Sequence, residues 1–227
     1  MRSFLLSTMP AGLWIMTALN LLFLCLLLLL YRKTRDSLPL WVALVAFGLF
    51  YDALMLALGT VLAPSEPFRI LSLFRFVLHC GLIPLLFPIC SRMLGFSKKA
   101  HKIIWIATLV IMAVGITAGF STVLEVKTVG GVVRFASADG LTPGWSTGIQ
   151  NALSYGPVLI LIAAGIAVWI RKKNPYLFLS GLFMFAFAAL GPATGNFDLI
   201  FYISMFGEVF MALFLWIAAK KDSSISG

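Results

Sequence analysis

The stretch "LWIMTALNLLFLCLLLLLYRK", residues 13–33, decides the fold. From Leu13 to Leu30 it carries no charge, and it stops at the aromatic-basic cluster Tyr31-Arg32-Lys33. A bilayer core about 30 Å thick needs roughly 20 predominantly apolar residues of helix, and this run supplies them. It is too long for the apolar region of a signal peptide and lacks a small-residue cleavage site. It reads as a first membrane helix that is retained.

The rest of the chain repeats the pattern. Of 227 residues, 61% are hydrophobic and only 11% charged, with a mean hydropathy of +1.04. Average soluble domains carry about 25% charged residues, so the composition is that of a polytopic membrane protein. Hydropathy and breakers mark seven spans, at about 11–31, 39–62, 69–94, 102–121, 148–170, 175–192 and 198–219. Pro39 and Pro175 sit near helix starts, where a missing N–H costs little. Ala63-Pro64-Ser65-Glu66-Pro67 separates the second span from the third. Gly191-Pro192 and Gly195-Asn196 separate the sixth from the seventh.

The formal charge of +9 is distributed as a topology signal. Arg32, Lys33, Arg35, Arg92, Lys98, Lys99, Lys102, Arg171, Lys172, Lys173, Lys220 and Lys221 fall on one side of the predicted spans. Arg2, Arg69, Lys127 and Arg134 fall on the other. The positive-inside rule then predicts an extracytoplasmic N-terminus and a cytoplasmic C-terminus, in the plasma membrane. Basic residues scattered between apolar runs form no nucleic-acid patch. Cys25, Cys80 and Cys90 lie within spans at no metal-like spacing and read as small buried hydrophobes.

The expected fold is all-α: one seven-helix transmembrane domain over residues 1–227. A hairpin loop at 121–147 joins the fourth and fifth helices. Within it, "LEVKTVGGVVRFAS" alternates on either side of Gly130-Gly131, the pattern of two strands about a tight turn. Such a hairpin would lie over the outer mouth of the bundle.

Ionisable groups inside membrane spans are costly and mark functional sites by default. Asp52, Arg75, His79 and Glu208 qualify. At a rise of about 1.5 Å per residue, Asp52, His79 and Glu208 lie about 15 Å below the outer ends of their spans and Arg75 about 9 Å. Arg75 and His79, four residues apart, share a helix face. The short second loop makes the second and third spans antiparallel neighbours, so Asp52 can face Arg75 or His79. Asn20, Asn151, Ser154, Tyr155 and Ser204 fall at similar depths. The expectation is a polar pocket in the outer half of the bundle that binds a ligand through Arg75, His79, Asp52, Glu208, Asn20, Asn151, Tyr155 and Ser204. Pro84 and Pro88 should kink the third span and free the Cys80 carbonyl toward that pocket, and Pro157 should free the Leu153 carbonyl in the fifth.

Several chemistries are disfavoured by the residues present. A retinal Schiff base needs a buried lysine, and the last two spans contain none. Axial haem ligation between helices commonly takes two histidines, and His79 is alone within the spans, His101 lying at the cytoplasmic boundary. A metal on His79, Asp52 and Glu208 would be opposed by Arg75. No cofactor or metal is therefore expected.

Three classes of function stay open. The pocket could bind and transport a small polar or amphiphilic molecule, or a lipid, with Arg75 receiving an anionic group and the acidic and imidazole groups carrying protons. It could be a lipid-modifying enzyme with His79, Glu208 or Asp52 as acid-base groups and Arg75 as anion stabiliser. Or the Asp52–Arg75 pair could be interhelical glue in a receptor or scaffold.

Overall fold

A computed structural model describes residues 2–193, 195 and 197–225. Among the described residues the regular structure is helical apart from one two-stranded hairpin. Helices α1 (Arg2–Thr34), α2 (Ser37–Leu58) and α3 (Glu66–Leu82) are followed by a 3-10 turn at Ile83–Leu85 and a short α4 (Leu86–Met93). Then come α5 (Lys98–Phe120), β1 (Leu124–Val129), β2 (Val132–Ser137), α6 (Gly144–Lys172), α7 (Tyr176–Ala193), a 3-10 turn at Phe197–Leu199, and α8 (Ile200–Ile225).

Six helical stretches are long and apolar enough to cross a membrane, and the apolar helix at 176–190 is shorter. The chain is an integral multi-pass membrane protein by length and composition. Helix α1 begins well before residue 11: Pro10 lies just over two turns inside it and removes one backbone hydrogen bond, to the Leu6 carbonyl, without ending the helix. Helix α7 runs through Pro192 to Ala193, so the Gly191-Pro192 break falls one residue later than expected. Asn196 lies outside the described residues.

The predicted third span is one path made of α3, the 3-10 turn and α4. Pro84 lies in that turn, and the Ile83 N–H bonds the His79 carbonyl. The freed Cys80 carbonyl does not face a polar interior as expected. It lies against α5, where a Cβ on Gly115 would sit 2.5 Å from its oxygen. Gly119 repeats this closeness one turn on, 2.7 Å from the Val77 Cα. Absent side chains on α5 thus let two backbones touch, the usual way membrane helices gain packing energy when lipid tails are as apolar as leucine.

One end of the bundle carries the basic clusters, the other the hairpin. At the basic end the core is continuous and apolar, built on Leu27, Leu38, Val45, Leu86, Ile89, Leu161, Leu177 and Leu215. Polar ties close it: Lys172 Nζ donates to Asp222 Oδ1 at 2.8 Å, Asn174 Nδ2 to the Ala218 carbonyl at 3.2 Å, and Lys221 Nζ to the Lys173 carbonyl at 2.7 Å. Arg92 pairs with Asp36 at 3.3 Å. His101 accepts from Trp105 Nε1 at 3.1 Å, while its Nδ1 lies 2.5 Å from Ser91 Oγ. A tryptophan N–H only donates, so the neutral His101 carries its proton on Nδ1 and gives it to Ser91. Ser91 in turn donates to the Pro88 carbonyl. Ser91 and His101 are therefore a structural tie, with no basic nitrogen facing the hydroxyl.

At the other end, β1 and β2 pair antiparallel with Val129 opposite Val132. Gly130 and Gly131 both have positive φ, 58° and 76°, as a two-residue hairpin turn requires. The hairpin is packed down. Val132 is fully buried with Met9, Leu13, Leu56 and Leu199, and Phe135 stands edge-on to Phe68 at 5.5 Å. The Val133 N–H donates to the Gly59 carbonyl at 2.8 Å. Of the cysteines, Cys80 and Cys90 are buried, but Cys25 is exposed: it lies on the outward face of α1, which in a bilayer meets lipid, so its surroundings remain apolar.

Candidate functional site

Helices α2 and α3 are antiparallel neighbours, and the Tyr51 hydroxyl fixes their register by donating to the Leu71 carbonyl at 2.9 Å. One residue on, Asp52 Oδ1 lies 2.7 Å from Arg75 Nε, with both side chains 14% exposed. Each group alone at the centre of a membrane helix costs about 2.5–3.5 kcal/mol on insertion scales, so pairing is what makes both tolerable. The contact lies off the N–H direction and makes no hydrogen bond, leaving Oδ1 without a donor. The Arg75 guanidinium also sits 5.0 Å from the Phe76 ring centroid.

Glu208 comes from α8, which packs against α2. It is 3% exposed, its carboxyl is within hydrogen-bonding reach of Asp52 and within electrostatic range of Arg75, and its Oε2 has no donor. Gly207, next to it, explains the depth: a Cβ there would sit 3.1 Å from Met184 Cα, so α8 lies directly on the α7 backbone. His79, one turn along α3 from Arg75, is within electrostatic range of both Asp52 and Arg75. Two carboxyl groups, one guanidinium and one imidazole from three helices thus meet.

They line a cavity of about 290 Å³. Its wall is completed by Asn151, Ser154 and Tyr155 of α6, Met184 and Ala188 of α7, and Ser204 of α8. Asn20 is not on that wall. It is fully buried in α1, and neither of its amide atoms has a partner.

Cys80 lines the cavity too, and so do Gln150 and Phe76, which the sequence pattern did not single out. Gln150 Nε2 donates to Thr122 Oγ1 at 3.0 Å and to Ser146 Oγ at 2.9 Å, while Ser146 donates to the Ala118 carbonyl at 2.7 Å. This network fixes the α6 wall to the end of α5. Its signal was present in the four-residue spacing of Ser146 and Gln150, which puts both on one helix face.

Arg134 on β2 completes the electrostatics. Its guanidinium carbon is 4.1 Å from the Phe201 ring centroid, and its Nε is buried with no acceptor. Burial pushes its pKa down to about 10, the like charge of Arg75 adding to the effect and Asp198 and Asp52 offsetting it. The hairpin therefore brings a second cation within electrostatic range of the Asp52–Arg75 pair. Among the described residues, no group of three or more His, Cys, Asp or Glu side chains is placed to hold a metal ion.

No protein family model matches the chain, and no curated protein matches it. What the fold defines is a class: a multi-pass helical membrane protein.

Proposed function

We propose that the chain spans the membrane seven times, hairpin end outside, and binds a small polar or amphiphilic molecule in the chamber formed around Arg75, Asp52, His79 and Glu208. The observation that carries this reading is the meeting of Asp52 and Glu208, from α2 and α8, beside Arg75. A structural ion pair needs one carboxylate for Arg75, which Asp52 supplies, and Glu208 is a second acid buried at the same point with no ion pair among the described residues.

In this reading an anionic group of the ligand takes the Nη face of Arg75. Among the described residues no hydrogen bond engages that face, and a guanidinium suits a carboxylate or phosphate through two parallel bonds. An anion arriving there competes with Asp52 for the same cation. A proton on the Asp52–Glu208 pair would favour that exchange, and ligand binding and proton uptake would then be linked, as transport coupled to protons needs. In this reading the end with the basic clusters faces the cytoplasm of a plasma-membrane protein, and the positive-inside rule is what supports it.

The test is mass spectrometry of small molecules that co-purify with the protein. One compound retained by the wild type and lost in Arg75→Ala supports the reading. Turnover of a lipid extract that stops in His79→Ala or Glu208→Ala would assign an intramembrane enzyme instead, and equal occupancy in wild type and Arg75→Ala would leave the pair a structural tie.

A further inference from the structure

The chamber is unequally closed at its sides. The hairpin is held rigidly beside it: Val132 has no exposure, and a Cβ on Gly59 would lie 1.8 Å from the Val133 carbonyl oxygen, so strand and helix end are in backbone contact. Helix α7 is bound to α8 along its length by a ladder of rings, with Phe187 5.9 Å from Phe206 and Phe183 4.9 Å from Phe210. Helix α6 meets α7 just as closely toward the basic end. A Cβ on Gly165 would sit 2.4 Å from Phe178 Cα, and one on Gly181 2.8 Å from Ile162. On the hairpin side of Pro157 the same face of α6 carries Gly148 and Gly144, where a Cβ would meet nothing within 4 Å among the described residues.

On that open half of α6 the side chains are wrong for a lipid face. Asn151 and Ser154 are exposed and Tyr155 is 57% exposed, while all three line the chamber. A turn farther on, the exposed residues are Leu159 and Ile160, ordinary lipid-facing groups. A polar edge ending in an apolar one, opening on a chamber that holds a cation, fits a molecule with a polar head and an apolar chain.

We propose that the gap between the hairpin-side halves of α6 and α7 is a lateral portal, and that the ligand is an anionic amphiphile. It enters from the leaflet at the hairpin end, its head passing Tyr155 to reach Arg75 while its chain stays in lipid along α6. This rests on the binding reading above and adds the ligand class and its route.

The experiment uses the full chain in phosphatidylcholine nanodiscs with hexadecyl phosphate and ethyl phosphate as probes, in wild type, Arg75→Ala, Gly148→Trp and Gly148→Ala. Gly148 lies on the helix face of Asn151 and Tyr155, and the open space there lets the tryptophan fold in place and fill the portal. Expected is hexadecyl phosphate binding that weakens at least about tenfold in Gly148→Trp but not in Gly148→Ala. Ethyl phosphate binding, weaker throughout, should be unchanged in Gly148→Trp, and Arg75→Ala should lose both. If Gly148→Trp leaves hexadecyl phosphate binding intact, or weakens both probes equally, the portal is overturned while binding at Arg75 stands. If the wild type binds neither probe, the binding reading falls as well. A second measurement does not depend on the ligand: a nitroxide on Tyr155→Cys, with Cys25, Cys80 and Cys90 replaced by alanine, should collide more with oxygen than with an aqueous nickel chelate. The reverse order overturns the portal.

Discussion

The two ends of the bundle are built on different terms. At the basic end the core is apolar, with an apolar gap between α4, α5 and α6 among the described residues, and Lys172, Asn174 and Arg92 are each tied to a partner. At the hairpin end the apolar packing gathers on one side, around α1, α2, α8 and the hairpin. The other side, between α3, α6, α7 and α8, is left as a polar cavity. The lesson is one of division of labour. A membrane bundle gains its stability from close contact, so a chamber with buried charges can be held open in one half only if the other half fixes the helix directions. Pro157 marks the boundary on α6, and the Pro84 turn marks it on the third transmembrane path.

Breaking the close half should cost most. A leucine at Gly165 must push the α7 backbone away, and the expected loss exceeds about 3 kcal/mol, beyond ordinary overpacking. Unfolding in mixed micelles measures it, and a variant as stable as the parent would show that the α6–α7 contact does not hold the bundle. In the open half, Arg75→Met strands Asp52 and should cost about 3 kcal/mol. Adding Asp52→Asn to it should recover much of that loss. A double variant no better than the single would mean that each group has a separate partner. Smallest of all, Gly156→Ala should lose nothing and gain about 0.5 kcal/mol, since alanine is the better helix former and meets no neighbour. A clear loss there would mean that α6 is not free in this half.

Much of this was legible in the residues. The helix pattern and the Gly-Gly hairpin follow from local chemistry: uninterrupted apolar runs between breakers, and two glycines where φ must be positive. The meeting of Asp52 with Arg75 followed from two spans joined by a short loop. What was not legible depended on rotation and on neighbours far away in the chain. Asn20 has the depth of a chamber residue but faces another way. The Cys80 carbonyl is freed by Pro84, yet its direction was decided by Gly115 thirty-odd residues on, which lets α5 close over it. Cys25 was read as buried because hydropathy does not distinguish a face turned to lipid from one turned to protein. Arg134 was counted only as a loop charge, since nothing local says that a hairpin will fold its strand back onto the bundle.

Acids from two separate helices, Asp52 of α2 and Glu208 of α8, meet at one point, and a double-mutant cycle on Asp52→Asn and Glu208→Gln, read by unfolding free energy, is the sharpest measurement of that meeting. The account predicts a coupling energy above about 1 kcal/mol, as for groups in contact. Effects that add to within about 0.5 kcal/mol, as for independent sites, would contradict it.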